Sequence, residues 1–258
     1  MKKGNRERRK IPIEMIIPIK RNTKKINFSK PYTFIYFNWW FELLIMPVYL
    51  LCYLIVAGYA RYFKLKVSGR ENLHILRKQG CMVIANHCHY FDTIFVNYTL
   101  FPRRLYTAVA QRNYEIPFIR RLLRFLRAFP IPKGTRGLDK IIHPVGEVLR
   151  RGRHVLMMPE GDLCLMSQEI FTFKRGAFYL SYYHQALILP IVYILTEQSK
   201  RSAGSKPGRV RFHQVIGPPL YPPPRTVDEN LSQEALDAMM DEAAQWMEDT
   251  IALHQTET

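Results

Sequence analysis

Four apolar residues, Met82 to Ala85, run without interruption into Asn86-His87-Cys88-His89-Tyr90-Phe91-Asp92. A run that short and that apolar reads as a buried strand. The chain must therefore fold around a sheet in which one core strand ends in a histidine. An imidazole at such a mouth needs a reason, and Asp92 stands five positions on. Five steps along an ideal helix leave two side chains on different faces, about 7.5 Å apart along the axis. They meet only if His87 sits in a turn and Asp92 opens the helix that follows, where the helix dipole favours a carboxylate. Thr93-Ile94-Phe95-Val96 continues as a helix start. A histidine held by a carboxylate serves as a general base near neutral pH.

The same pattern recurs. Val155 to Met158 is a second apolar run, ending in Pro159-Glu160-Gly161, and Leu187-Ile188-Leu189-Pro190-Ile191-Val192 is a third. Between the first two lies Ala128-Phe129-Pro130-Ile131-Pro132-Lys133-Gly134-Thr135-Arg136-Gly137, which delivers two cations into a turn bounded by glycines. Strands are predicted over 65–67, 82–85, 106–109, 128–131, 155–158, 187–194 and 210–216. Helices are predicted over 92–100, 116–126, 138–151 and 174–184, with Pro144 marking a start or a bend in the third. This alternation predicts a single α/β domain with a largely parallel central sheet flanked by helices. Polar groups at the C-terminal edge of such a sheet are where these folds keep their sites.

Charge is unevenly spread. The net charge is +17, yet nine acidic residues and no Lys or Arg follow from Asp228 to the end. The 38 basic residues before that tail face 12 acidic ones, a net of +26. Such a body implies an anionic partner: phospholipid headgroups, a phosphorylated substrate or nucleic acid. The tail itself reads as a helix with Leu236, Met239, Met240, Ala243, Met247 and Ile251 on one side, packing back on the domain. Between Ile116 and Arg127, an apolar stripe opposes Arg120, Arg121, Arg124 and Arg127. That pattern fits a solvated basic face or one set against anionic lipid. The four cysteines, Cys52, Cys81, Cys88 and Cys164, have no paired ligand spacing and read as reduced thiols, so no metal is expected.

Residues 43–60 form an 18-residue stretch without a charge, long enough to be a membrane-helix candidate. Trp39, Trp40, Tyr49, Tyr53 and Tyr59 add interfacial aromatics. Pro47 is expected to break the run into two shorter helices. Residues 1–30 carry eleven Lys or Arg against two Glu, and Arg61, Lys64, Lys66 and Arg70 follow the apolar stretch. Basic flanks on both sides favour a two-helix anchor dipping into one leaflet, or lying in the interface, over a single crossing. Three regions are expected: a basic arm over 1–30, a hydrophobic anchoring segment over 31–64, and an α/β domain over 65–258 ending in the acidic helix.

The blocks around His87-x-x-x-x-Asp92, Ile131-Pro132-Lys133, Pro159-Glu160-Gly161 and Pro190, in that order, resemble the glycerolipid acyltransferase superfamily typified by 1-acylglycerol-3-phosphate acyltransferase. The resemblance covers roughly residues 67–216. Departures from the family pattern are His89 where many members have serine and Met158 where they have phenylalanine. Asp162-Leu163-Cys164 stands for Thr-Arg-Ser, and Lys133 for arginine with Arg136 close by. No Gly-x-Ser-x-Gly elbow and no glycine-rich phosphate or dinucleotide loop occurs, so the sequence offers no obvious nucleophile of its own.

The resemblance implies a membrane-bound enzyme with its catalytic domain on the cytoplasmic face. It would move an acyl group from acyl-CoA or acyl-carrier protein to the sn-2 hydroxyl of lysophosphatidate, giving phosphatidate without an acyl-enzyme or a cofactor. His87 is expected to be the base and Asp92 its orienting partner. Lys133 and Arg136 are expected at the acceptor phosphate, with Lys174 adding a contact, and Glu160, Gly161 and Pro190 in the walls of the site. His89 is expected to support the site rather than act as a base. The alternatives are the same chemistry on glycerol 3-phosphate, another lysophospholipid or a lyso-aminolipid, and, in a different class, a non-catalytic basic protein binding membrane or nucleic acid. The apolar segment and the lack of a nucleic-acid motif count against nucleic acid as a partner.

Overall fold

The computed structural model describes residues 8–12, 25–28, 30–77, 79–132, 135–197, 210–225 and 229–256. Among them, seven strands follow in chain order: β1 (Lys66–Ser68), β2 (Met82–Ala85), β3 (Leu105–Ala110), β4 (Ala128–Ile131), β5 (His154–Met157), β6 (Ile188–Glu197) and β7 (Val210–Ile216). The helices are α1 (Trp39–Tyr62), α2 (Asp92–Leu100), α3 (Gln111–Tyr114), α4 (Pro117–Phe125), α5 (Thr135–Arg150), α6 (Gly176–His184) and α7 (Glu229–Thr256), with a 3-10 segment at Arg70–Arg77. The strands pair in the order β1-β7-β6-β2-β5-β3-β4. Every pairing is parallel except β6 with β7.

Alternation along the strands builds the two layers around the sheet. Met82 and Ile84 of β2 join Val155, Met157 and Ile188 against Ile141 and Val145 of α5, Phe178 of α6 and Met247 of α7. Val83 and Ala85 face the other way, with Leu156, Leu189 and Ile191, against Phe95, Val96 and Leu100 of α2. All four residues of β2 are buried, as a strand covered on both faces requires. Pro144 lies inside α5, and the helix passes through it.

The apolar N-terminal segment differs from expectation. It forms one continuous helix of 24 residues, not two, with Pro47 inside it. A proline removes one intrahelical bond and crowds the preceding turn, but α1 is held to the domain on both sides of it. Glu42 and Ile45 are buried before Pro47, and Tyr49, Tyr53 and Ala60 engage the domain after it. The inward positions 42, 45, 49, 53, 56, 60 and 63 are spaced by three or four residues, one face of a helix. Glu42 anchors the start of that face. Its Oε2 accepts from Arg127 at 3.0 Å, and its Oε1 accepts from Arg153 at 3.1 Å and from the Tyr106 hydroxyl at 3.0 Å. At the other end, Phe63 packs on Phe91, Phe95 and Phe212. The outer face carries Trp39, Trp40, Leu43, Leu44, Leu50, Leu51, Leu54 and Ile55, all exposed.

Candidate active site

Strand register assembles the site before any side chain is considered. β2 pairs with β5 so that Ile84 lies opposite Met157, and with β6 so that Ala85 lies opposite Ile191. Continued past the strand ends, that register sets His87 beside Glu160 and level with Tyr193. The backbone N–H of His87 accordingly donates to Glu160 Oε2 at 3.3 Å. The chain then turns, with Asp92 N–H donating to the His89 carbonyl at 3.3 Å, and α2 opens at Asp92. This turn-then-helix arrangement is the one the five-residue spacing demands. It brings His87 Nδ1 within 2.7 Å of Asp92 Oδ2.

Asp92 is completely buried and fully engaged. Oδ2 also accepts the His89 N–H at 3.2 Å, and Oδ1 accepts from the Thr93 N–H at 2.5 Å and the Thr93 hydroxyl at 3.3 Å. A buried carboxylate persists only with such partners. Since a carboxylate accepts, His87 Nδ1 must donate, which leaves Nε2 with its lone pair. Nε2 has no hydrogen-bond partner among the described residues. Burial alone would lower the basicity of His87, but the hydrogen bond and charge of Asp92, helped by the charges of Glu160 and Asp162, override it. The net direction is upward from the usual imidazole value. An imidazole strengthened in this way can, in its neutral form, take a proton from an alcohol.

A buried polar network lies under the pair. The Tyr193 hydroxyl donates to the Asp92 carbonyl at 2.6 Å and receives from Gln214 at 3.0 Å, while Thr99 donates to Gln214 at 2.5 Å. Asn86 ties the same tyrosine in place, accepting its N–H at 2.8 Å and donating to its carbonyl at 3.2 Å. The asparagine before His87 is thus a brace between β2 and β6.

Glu160 is only 3 % exposed. Its Oε1 is buried without a hydrogen-bond partner among the described residues. Burial pushes its carboxyl up to about 7, against the pull of the His87 N–H, the His87 charge and the Phe171 N–H. It lies against the His87 backbone, whose N–H it accepts. Gly161 follows with φ at +81°, and a Cβ there would collide with Lys174 Nζ. The positive φ is what requires glycine, since the flexible end of Lys174 can move aside.

The segment after Gly161 folds back along the histidine turn. The N–H of Cys164 donates to the His87 carbonyl at 2.9 Å, and that of Met166 to the Cys88 carbonyl at 2.8 Å. This places Asp162 beside the site. Asp162 Oδ1 accepts from Arg112 Nη2 at 2.7 Å, and its Oδ2 lies 3.4 Å from Lys174 Nζ. Lys174, placed at the site by sequence, is therefore at its rim and bound to a carboxylate.

His89 accepts the Phe91 N–H at Nδ1, 3.3 Å away, and its ring packs against Phe91 and Phe212. Burial holds it below the usual imidazole value despite the nearby Asp92 charge. Burial also pushes the Cys164 thiol up to about 11, with Glu160, Asp162 and Glu169 adding to the shift, and Cys88 well above its ordinary value. Neither is a thiolate at neutral pH. Among the described residues no cluster of three or more His, Cys, Asp or Glu side chains is arranged to hold a metal ion.

Pro190 does not reach the site. It is buried within β6 opposite Ile84, three residues before the level of His87, and its carbonyl accepts the Gly217 N–H at 2.9 Å. Lys133 lies outside the described residues, as does the side chain of Arg136, whose backbone is in the first turn of α5. Sequence reasoning missed Arg112, Asp162, Tyr193 and Gln214. Arg112 was within reach, since it follows a predicted strand at the same sheet edge. So was Asp162, which directly follows Pro159-Glu160-Gly161, whereas Tyr193 and Gln214 depend on which strands are neighbours.

A family model described as "Acyltransferase" matches residues 64–194, just over half of the chain. The 1-acyl-sn-glycerol-3-phosphate acyltransferase of Bacillus subtilis (strain 168) is 24% identical over 156 residues, which is 60% of this chain and 73% of that protein. The crystal structure of the 1-acyl-sn-glycerophosphate (LPA) acyltransferase PlsC from Thermotoga maritima is similar with a TM-score of 0.55 and 15% identity. That alignment covers 81% of this chain and 82% of the other, and it supports the fold.

Proposed function

The chain belongs to the acyltransferase family, and from that premise we propose that it moves a fatty acyl group from a thioester to the sn-2 hydroxyl of lysophosphatidate. The carrying observation is the 2.7 Å contact between His87 Nδ1 and a wholly buried Asp92 carboxylate. His87 Nε2 takes the proton of the acceptor hydroxyl as its oxygen attacks the thioester carbonyl. The tetrahedral adduct collapses, the C–S bond breaks, and the departing sulfur takes the proton back from the imidazolium. The products are the ester and a free thiol. Asp92 keeps the imidazole in the reactive tautomer and offsets the positive charge it gains, the division of labour found in serine-protease triads. Base catalysis of this kind contributes about 10²–10⁴ in rate. The donor is acyl-CoA or acyl-carrier protein, and Lys133, Arg136 and Lys174 are assigned to the acceptor phosphate.

The reaction is assigned to the cytoplasmic face of a membrane. α1 is long and apolar enough to cross a bilayer, but its inner face follows the domain from Glu42 to Phe63. One face of α1 packs on the domain through aromatic and apolar contacts, and most of its remaining apolar surface is exposed. We therefore assign α1 to the membrane interface, with its exposed apolar face in lipid. Tyr90, Ile94 and Leu165 are further exposed apolar side chains, close in sequence to His87, Asp92 and Cys164.

The test is a transfer assay of the purified full chain with a radiolabelled acyl thioester against lysophosphatidate, glycerol 3-phosphate, other lysophospholipids and a lyso-aminolipid. Labelled phosphatidate formed fastest supports the assignment. Preference for another acceptor would move the substrate while keeping the chemistry, and no transfer to any acceptor would defeat it.

A further inference from the structure

The Asp162 cluster bears on how the site meets its acceptor. Asp162 is a carboxylate at the sheet edge that carries His87, one residue beyond Gly161, and it bridges two cations brought from different parts of the chain. Arg112 comes from α3, directly after β3, and Lys174 from the segment before α6. The bridge is incomplete. Oδ1 meets a single guanidinium nitrogen, Oδ2 lies a long 3.4 Å from the ammonium, and Arg112 Nε is buried without an acceptor among the described residues. Two donors thus meet the two oxygens, and a third is left without an acceptor. A phosphate monoester has three terminal oxygens and about −1.5 to −2 charges near neutral pH, against one for a carboxylate. Arginine's fork suits bidentate binding of such a group.

We propose that Asp162 is a built-in stand-in for the acceptor phosphate, pairing Arg112 and Lys174 while the site is empty and giving way when the phosphate arrives. This rests on the acyltransferase reading above and adds Arg112 as a binding residue and Asp162 as an internal competitor. The tethered carboxylate is a weak occupant. Lys174 is 65 % exposed and Arg112 40 %, so each ion pair is solvent-screened and readily exchanged. Asp162 is near enough to His87 for its charge to add, as the smallest of the named causes, to the strengthened basicity of that imidazole.

The test compares wild type, Asp162→Asn, Arg112→Ala and the double variant in lysophosphatidate transfer at pH 8.5, with inorganic phosphate as a competing probe. Asparagine has the shape of aspartate without its charge, so it preserves the fold. Asp162→Asn is expected to lower the KM for lysophosphatidate by about two- to tenfold, the scale of losing exposed ion pairs. Inorganic phosphate should inhibit it at correspondingly lower concentration, and kcat should change less than KM. Arg112→Ala should raise KM, and adding Asp162→Asn to it should then recover less than it gains in wild type. An Asp162→Asn enzyme with unchanged or higher KM and unchanged phosphate inhibition overturns the stand-in. Equal gains with and without Arg112 overturn the role of that arginine. Wild type that fails to use lysophosphatidate at all is a different failure, that of the acceptor assignment.

Discussion

His87 and Asp92 meet because a turn shortens the gap that a helix would leave between them. The turn is fixed by hydrogen bonds outside the pair itself, from the Asn86 brace to the Tyr193 hydroxyl under the Asp92 carbonyl. Glu160 has a different cost. Its carboxyl is raised to about 7 by burial, so between the ordinary carboxyl value near 4.5 and about 7 the unfolded chain loses this proton while the folded one keeps it. Stability therefore falls as pH rises through that window, and the penalty is complete above it. Glu160→Gln keeps an oxygen for the His87 N–H and has no charge to bury. Its gain in stability over wild type should be absent near pH 4, grow between pH 5 and 7, and reach up to about 3 kcal/mol at pH 8. Thermal melts across pH would check this, and a constant difference would show that Glu160 is not strained by ionisation. The residue scale also marks the limit of sequence reading. The pair His87 and Asp92 was legible because both lie within one turn. Tyr193 and Gln214 were not, because their place under Asp92 depends on strand register and neighbours that no local pattern encodes.

At the scale of elements, the apolar periods identified every strand of the sheet, with 82–85, 128–131 and 210–216 matching in full. They misjudged α1. Pro47 has a real local penalty, but docking on both sides of it outweighs that penalty, and docking is invisible to a window of sequence. Glu42 shows why the helix stays in place. It stands among Arg104, Arg127 and Arg153, with Arg127 itself buried. Removing one partner from a buried ion cluster typically costs about 3–5 kcal/mol, since the remaining charge is left unpaired. Glu42→Ala should lower the melting temperature by roughly 10 °C, on the usual scaling for a chain of this size. Leu50→Asp with Leu54→Asp, on the outer face, should leave the melting temperature within a few degrees and abolish co-sedimentation with phospholipid vesicles. The opposite pattern, a stable Glu42 variant or undiminished vesicle binding, would show that α1 does not divide its two faces between protein and lipid.

Across the whole molecule, charge is sorted. The basic body and the acidic tail read from the sequence meet directly: Arg8 pairs with Asp241 and Glu248 of α7, and Arg175 with Asp237. α7 packs its apolar side, Met239, Ala243 and Met247, into the core. It neutralises part of the body near its own layer, while α1 leaves an apolar face exposed. The proposed function is that of an α/β domain whose candidate base, His87, lies near a helix with an exposed apolar face, and it stands or falls with that base. The most direct measurement is the turnover of His87→Ala with saturating thioester and lysophosphatidate, in protein whose circular dichroism and vesicle binding match wild type. A loss of at least a hundredfold is predicted. Turnover within a few-fold of wild type would contradict the account, because the proton of the acceptor would then be leaving by another route.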